Sequence, residues 1–175
     1  NKKLIYRGVK VMPYSNGCTT PLSNFEATSN YKTVSDPSLV IKFKANGGKY
    51  DNHILLVWTT TPWTLPSNLA ICVNPKLKYY CVISHRDNHS YIIAKDCLNN
   101  YFKNKDEITI KYEIDGIDLV GQNYKPLFNY FEGKYPNSFK IVSDSYVEAT
   151  SGTGLVHIAP AFGKDDYRVC LEKNI

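Results

Sequence analysis

The chain has 175 residues, and 43% of them belong to the hydrophobic set, enough for one domain with its own core. No apolar run approaches membrane-spanning length. The five cysteines (Cys18, Cys72, Cys81, Cys97 and Cys170) are odd in number and hold no Cys-x-x-Cys pair, which argues against a disulfide framework and a structural zinc site. The net charge of +5, from 21 Lys and Arg against 16 Asp and Glu, is compatible with a nucleic-acid partner and equally with an ordinary basic domain. Without a signal-peptide pattern, this cysteine usage fits a reducing, cytoplasmic setting and no membrane partner.

Strand-like runs recur at residues 39–43, 53–58, 69–73, 79–84, 91–94, 108–114, 139–142, 146–149 and 155–158. The run at 108–114 alternates cleanly and predicts one wet face. Turn formers such as Asn46-Gly47-Gly48, Asn74-Pro75 and Asp115-Gly116 separate most of the runs. Two helices are predicted, over 95–103 and 165–173. Many short strands with few helices predict a mainly β fold, a closed or nearly closed β-barrel with helices packed outside. Residues 116–136 are the least regular and read as a surface excursion.

The run Trp58-Thr59-Thr60-Thr61-Pro62-Trp63-Thr64-Leu65-Pro66-Ser67-Asn68 directly follows the apolar residues Ile54-Leu55-Leu56-Val57. A hydroxyl-rich segment braced by two prolines therefore leaves the end of a buried strand. Such a stiff row can hold a small polar ligand at little entropic cost. Threonines are also good strand residues, and prolines end strands, so the row alone leaves both readings open. A second segment, Gly152-Thr153-Gly154-Leu155-Val156-His157-Ile158-Ala159-Pro160-Ala161-Phe162-Gly163-Lys164-Asp165-Asp166-Tyr167, reads as glycine turn, strand, proline loop and helix start. Leu155 and His157 share one face of that strand. Asp165 and Asp166 fall in the first helical turn, where the macrodipole favours negative charge and one carboxylate serves as a plain cap.

Together these two segments resemble the editing domain inserted in isoleucyl-tRNA synthetases. The stretch 59–68 is similar to that family's threonine-rich motif, and 152–167 to its second editing motif. The N-terminal residues 6–15, with Thr20-Pro21-Leu22-Ser23-Asn24-Phe25-Glu26, are similar to the eukaryotic cytosolic type of the same enzymes. Valyl and leucyl relatives usually carry an arginine where this chain has Thr61, which favours the isoleucyl branch. No His-Ile-Gly-His or Lys-Met-Ser-Lys-Ser segment occurs, so the aminoacylation chemistry lies elsewhere. The resemblance implies that residues 1–175 form a single editing domain from a larger synthetase, with the β-barrel core of the class I valyl, isoleucyl and leucyl editing domains.

The resemblance also implies hydrolysis of valyl-tRNA mischarged on the isoleucine tRNA, with valyl-adenylate as a further substrate. The partners would be the tRNA acceptor end carrying valine and the rest of the synthetase. Asp166 would anchor the α-ammonium group, and His157 would line the amino-acid side of the pocket. Thr59, Thr60 and Thr61 would offer hydroxyls to ester, ribose and water, with strand alternation placing two of them in the site. Trp63 would wall the pocket or stack near the terminal nucleotide. Asn68 would either bond the substrate or brace the loop. No Ser-His-Asp arrangement and no metal-ligand cluster has plausible spacing, so no cofactor, metal or covalent intermediate is expected and water attacks directly. An acceptor-end binding module without hydrolysis is the alternative.

Overall fold

A computed structural model describes residues 2–175. A small hairpin, β1 (Tyr14–Ser15) and β2 (Thr20–Pro21), leads into α1 (Asn24–Thr28). Ser23 caps that helix reciprocally: its hydroxyl accepts from the Glu26 amide, and the Glu26 carboxylate accepts from the Ser23 amide. The main sheet uses β3 (Leu39–Lys44), β4 (Ile54–Thr59), β5 (Ala70–Val73), β6 (Lys78–Ser84), β7 (Ser90–Ala94), β8 (Ile108–Asp115), β9 (Lys140–Ser143) and β10 (Leu155–Ile158). Helices α2 (Leu98–Tyr101), α3 (Gly116–Leu119) and α4 (Lys164–Glu172) are short. The fold is mainly β, with a curled, barrel-like sheet and few helices.

The sheet is organised around β4. One edge of β4 pairs antiparallel with β3 along its whole length. The other edge is shared: β7 runs parallel to it at Ile54 and Leu55, and β10 at Trp58. From this fork one arm continues β7-β6-β8 and the other β10-β5-β9. The second arm returns to β3 through residues 121–125. The Asn46 amide donates to the Asn123 carbonyl at 2.8 Å and the Lys125 amide to that of Lys44 at 2.8 Å. On the opposite side the Tyr124 amide donates to Phe139 at 3.0 Å and the Ile141 amide to Gln122 at 2.8 Å. The circuit β3, β4, β10, β5, β9 and 121–125 is therefore hydrogen-bonded all the way round, which leaves no open edge within it.

Alternation sorts the side chains between two cores. Ile71 and Val73 of β5 join the larger cluster with Phe43, Val57, Ile141 and Leu155. Ala70 and Cys72 face the other way, into a smaller cluster with Ile158 and with Val169 and Cys170 of α4. Both faces of β5 are thus covered, which is why it reads as an unbroken apolar run. Cys72, Cys81, Cys97 and Cys170 are buried as free thiols in these cores.

Four local expectations need correction. Residues 146–149 are not a strand. The Asp144 carboxylate accepts from the Tyr146 amide, and the Asn74 side chain donates to the Val147 carbonyl, so side chains take the place of a neighbouring strand. The segment 116–136 is no surface excursion throughout, because Leu119, Gln122 and Tyr124 are buried where the ring closes. Clean alternation in β8 breaks at a bulge. Cys81 pairs with Tyr112 and Val82 with Ile110, which leaves Lys111 as an extra residue and Ile110 half exposed. The predicted helix over 95–103 is a tight turn, Lys95–Cys97, followed by the single turn of α2.

Gly154, at the entry to β10, has φ +73°, and a Cβ there would lie 2.3 Å from that of Ala94. Gly133 has the same φ of +73° with open space around it. Gly133→Ala is expected to cost about 1 kcal/mol for the left-handed backbone alone. Gly154→Ala adds a core clash and should cost about 3 kcal/mol or more. Urea unfolding of the two variants checks this, and equal losses would refute the packing argument.

Candidate functional site

Beyond Thr59 the chain turns into a 3-10 helix, Pro62–Ser67, with Pro62 at the first helical position. The Thr61 amide donates to the Thr59 hydroxyl at 3.1 Å, and the two hydroxyl oxygens lie 3.4 Å apart. Thr60 stands exposed between them. Of the three threonines, Thr59 and Thr61 therefore share a side. The Thr64 hydroxyl donates to the Thr61 carbonyl at 2.8 Å and lies 2.9 Å from His157 Nε2. Thr64 was not singled out by the sequence reading, although it sits within the motif.

His157 is paired with Ile71 and is only 5% exposed. Its other ring nitrogen, Nδ1, is 2.9 Å from the Asn68 amide nitrogen. That amide nitrogen also donates to the Ala70 carbonyl at 2.9 Å, while the Asn68 oxygen accepts from the Tyr124 hydroxyl at 2.7 Å. Asn68 thus presents N–H to the imidazole, so Nδ1 is an acceptor and the proton sits on Nε2, donating to Thr64. Burial holds the ring neutral and pulls its pKa down to about 4. Between the two roles that the sequence left open for Asn68, the geometry gives the brace: its side chain is spent on Ala70, His157 and Tyr124. Tyr124 carried no signal, because it lies in the stretch that read as irregular.

Asp166 lies in the first turn of α4. One carboxylate oxygen accepts from the Ala159 amide at 2.8 Å, two residues beyond His157. The carboxyl group folds over Gly163, where a Cβ would come within 2.7 Å of Asp166 Cγ, so any larger residue there displaces it. Burial raises the Asp166 pKa, aided by Asp165, against the opposing pull of the Ala159 amide. A carboxylate left this short of solvation gains from a bound cation. Asp165 does not cap the helix. The helix begins one residue earlier than predicted, Gly163 holds the cap position, and Asp165 instead lies exposed, 3.4 Å from Arg168. Trp63 is 72% exposed, with its indole free to meet a partner.

The two segments thus supply a fixed pair of hydroxyls, a carboxylate aimed by a backbone amide, and a neutral imidazole locked in one tautomer. Among the described residues no three metal-ligating side chains converge.

The buried imidazole has a consequence for stability. In the unfolded chain His157 titrates near pH 6.5 and in the folded chain near 4. Between those values the unfolded state binds the extra proton, so stability falls as pH is lowered through the window, by on the order of 3 kcal/mol. Asp166 acts in the opposite sense: its raised pKa means that protonation on acidification relieves a cost of burial. Urea unfolding between pH 6.5 and 4 is expected to show a shallower loss for His157→Gln than for the parent. Parallel curves would refute the buried neutral histidine.

A family model described as tRNA synthetases class I (I, L, M and V) matches residues 1–164. The chain is 45% identical over 203 residues to the cytoplasmic isoleucine–tRNA ligase of Arabidopsis thaliana, covering 99% of this chain and 17% of that protein. It is 47% identical over 176 residues to the cytoplasmic enzyme of Mus musculus, covering 100% of the chain and 14% of the enzyme. With the isoleucine–tRNA ligase of Tetrahymena thermophila it shares 49% identity over 177 residues, 100% of this chain and 16% of that protein. The chain thus spans about one sixth of the relatives it matches. Among solved structures, GlLeuRS-CP1 superposes with a TM-score of 0.62 at 18% identity, over 79% of this chain and 65% of that one. The editing domain of the P. falciparum cytosolic leucyl-tRNA synthetase gives 0.55 at 18% identity, over 73% and 51%. Sequence and fold agree: the chain belongs to the class I tRNA synthetases (I, L, M and V) and carries the fold of their CP1 editing domains.

Proposed function

We propose that this chain is an aminoacyl-tRNA deacylase that clears valine from the isoleucine tRNA within an isoleucine–tRNA ligase, in the cytoplasm. The observation that carries the reading is Asp166: a carboxylate short of solvation, pinned through one oxygen by the amide of Ala159, which lies two residues beyond His157. A substrate α-ammonium group supplies the cation it lacks. The need is physical. Valine lacks only one methylene of isoleucine, and an apolar pocket gains about 1–3 kcal/mol from that group, isoleucyl enzymes being the established illustration of this limit. A second, hydrolytic site removes what the first admits.

In this reading water attacks the carbonyl carbon of the ester. The bond from that carbon to the ribose oxygen breaks, one proton of the water passes to the ribose oxygen and the other to solvent, and valine leaves as its carboxylate. Thr59 and Thr61 orient ester and water, and Trp63 packs against the terminal nucleotide. His157 holds the Thr64 turn in place and shapes the side-chain wall rather than moving the proton, since both of its nitrogens are engaged. Valyl-adenylate presents the same ammonium group and is a further substrate. One observation favours a second reading, an acceptor-end binding module without hydrolysis: the locked imidazole offers no free lone pair to a water.

Asp166→Asn keeps shape and removes charge. Breaking a desolvated ion pair costs about 2–5 kcal/mol, so valyl-tRNA hydrolysis should fall on the order of 30-fold to several thousand-fold. Asp165→Asn changes only an exposed pair with Arg168 and should leave activity and stability nearly intact. Deacylation assays on both variants, with thermal unfolding as control, check this. Near-parental activity in Asp166→Asn, or inactivity in Asp165→Asn, would place the anchor elsewhere. No hydrolysis by the parent would leave the binding module.

A further inference from the structure

A cavity of about 730 Å³ opens beside the ring-closing segment, with Tyr124 in its lining. Its size is that of a small-molecule site. Phe128 and Tyr130 stand on its wall, stacked on each other with centroids 5.7 Å apart and planes 10° from parallel, so that an outer face of the pair is what a base can meet. Both are substantially exposed, at 43% and 57%. Asn46, Asn123 and Asn129 bring amide donors and acceptors, Lys125 brings a positive charge and Glu132 a negative one. Flat apolar faces, amide edges and a cation form the combination that takes an unpaired nucleotide: ring faces stack on the base, amides read its edge, and the ammonium meets its phosphate.

Backbone strain marks the same place. Phe139 lines the cavity with φ +60°, a conformation that a bulky residue adopts only when held. It is held at both ends: its amide donates to the Leu69 carbonyl at 2.7 Å, and its carbonyl accepts from the Tyr124 amide at 3.0 Å. The strained residue thus clamps Tyr124, at the cavity floor, to the residue that follows Asn68. Tyr124 itself is 2% exposed and packs edge-on against Phe43 and Phe139. A ligand in the cavity rests on a rigid floor that ends in the His157 network.

We propose that this cavity is a nucleotide-binding subsite, separate from the Asp166 site, that takes an unpaired nucleotide through stacking on Phe128 and Tyr130. The acceptor strand as its source rests on the deacylase reading; the nucleotide chemistry does not.

The test is binding of the trinucleotide CCA, cytidine monophosphate and adenosine monophosphate to the chain, followed by the ring-proton resonances of Phe128 and Tyr130. Upfield ring-current shifts at both residues are expected. Phe128→Ala and Tyr130→Ala should each weaken CCA binding on the order of 5- to 100-fold. Phe25→Ala, an exposed aromatic of α1 outside the cavity, should change it less than about twofold. CCA bound about tenfold or more tighter than either mononucleotide supports the acceptor strand as source, and equal affinities support a free nucleotide. Shifts confined to residues outside the cavity, equal binding by all three variants, or no binding of any probe would overturn the subsite. No ester is present in the assay, so nucleotide binding by a chain that hydrolyses nothing leaves the subsite standing and removes only the deacylase reading.

Discussion

The architecture around the site turns on one amide side chain. Asn68 donates to the Ala70 carbonyl and to His157 Nδ1 and accepts from the Tyr124 hydroxyl. Those contacts tie the end of the threonine turn to β5, to β10 and to the segment that closes the barrel. All four groups are buried, so each unmade bond would leave a polar atom without water or partner, at about 1–3 kcal/mol apiece. The contacts also fix the tautomer of His157, which fixes the direction of the hydrogen bond to Thr64, which sets the Thr61 carbonyl. Chemistry at the hydroxyl row inherits its geometry from a residue that need not touch substrate.

The fork in the sheet explains why two motifs far apart in sequence lie side by side. β4 delivers the threonine turn from its C-terminal end, and Val156 of β10 pairs with Trp58 at that same end. A strand edge shared between two partners would ordinarily leave unpaired groups at the junction. Here the Ala94 amide, at the end of β7, donates to the Thr153 carbonyl just ahead of β10 at 2.9 Å, so the two arms are stitched where they part. The arm β7-β6-β8 thereby extends the core without interrupting the ring.

Much of this was legible because burial writes itself into composition. β4, β5 and β10 are covered on both faces, and their runs of Ile, Leu, Val and Cys leave little choice of element. Asp166 stands out in sequence only through its place in a motif; what spacing does not record is that its carboxyl is largely buried, which raises its pKa. What stayed illegible depends on contacts that no local pattern records. Tyr124 looks like any tyrosine in an irregular stretch until Lys44 and Phe139 are seen to close around it. Val147 looks like part of a strand, yet Asp144 and Asn74 satisfy its neighbourhood with side chains. Asp165 and Asp166 are indistinguishable by spacing rules, and only a one-residue difference in helix start makes one of them a surface charge.

The contact between Asn68 and His157 also bears on how such a sequence can drift over generations. An aspartate at position 68 would set a carboxylate oxygen against the lone pair of Nδ1, and relief would move the ring proton to Nδ1, turn Nε2 into an acceptor and take the Thr64 hydroxyl proton away from the Thr61 carbonyl. An apolar residue at 157 would strand an amide hydrogen of Asn68 in the core. Neither position can change alone at low cost, although 89 residues separate them. Physically they behave as one unit: a change at either position is expected to be tolerated best when the other changes with it, and a motif graft best when both are carried across together.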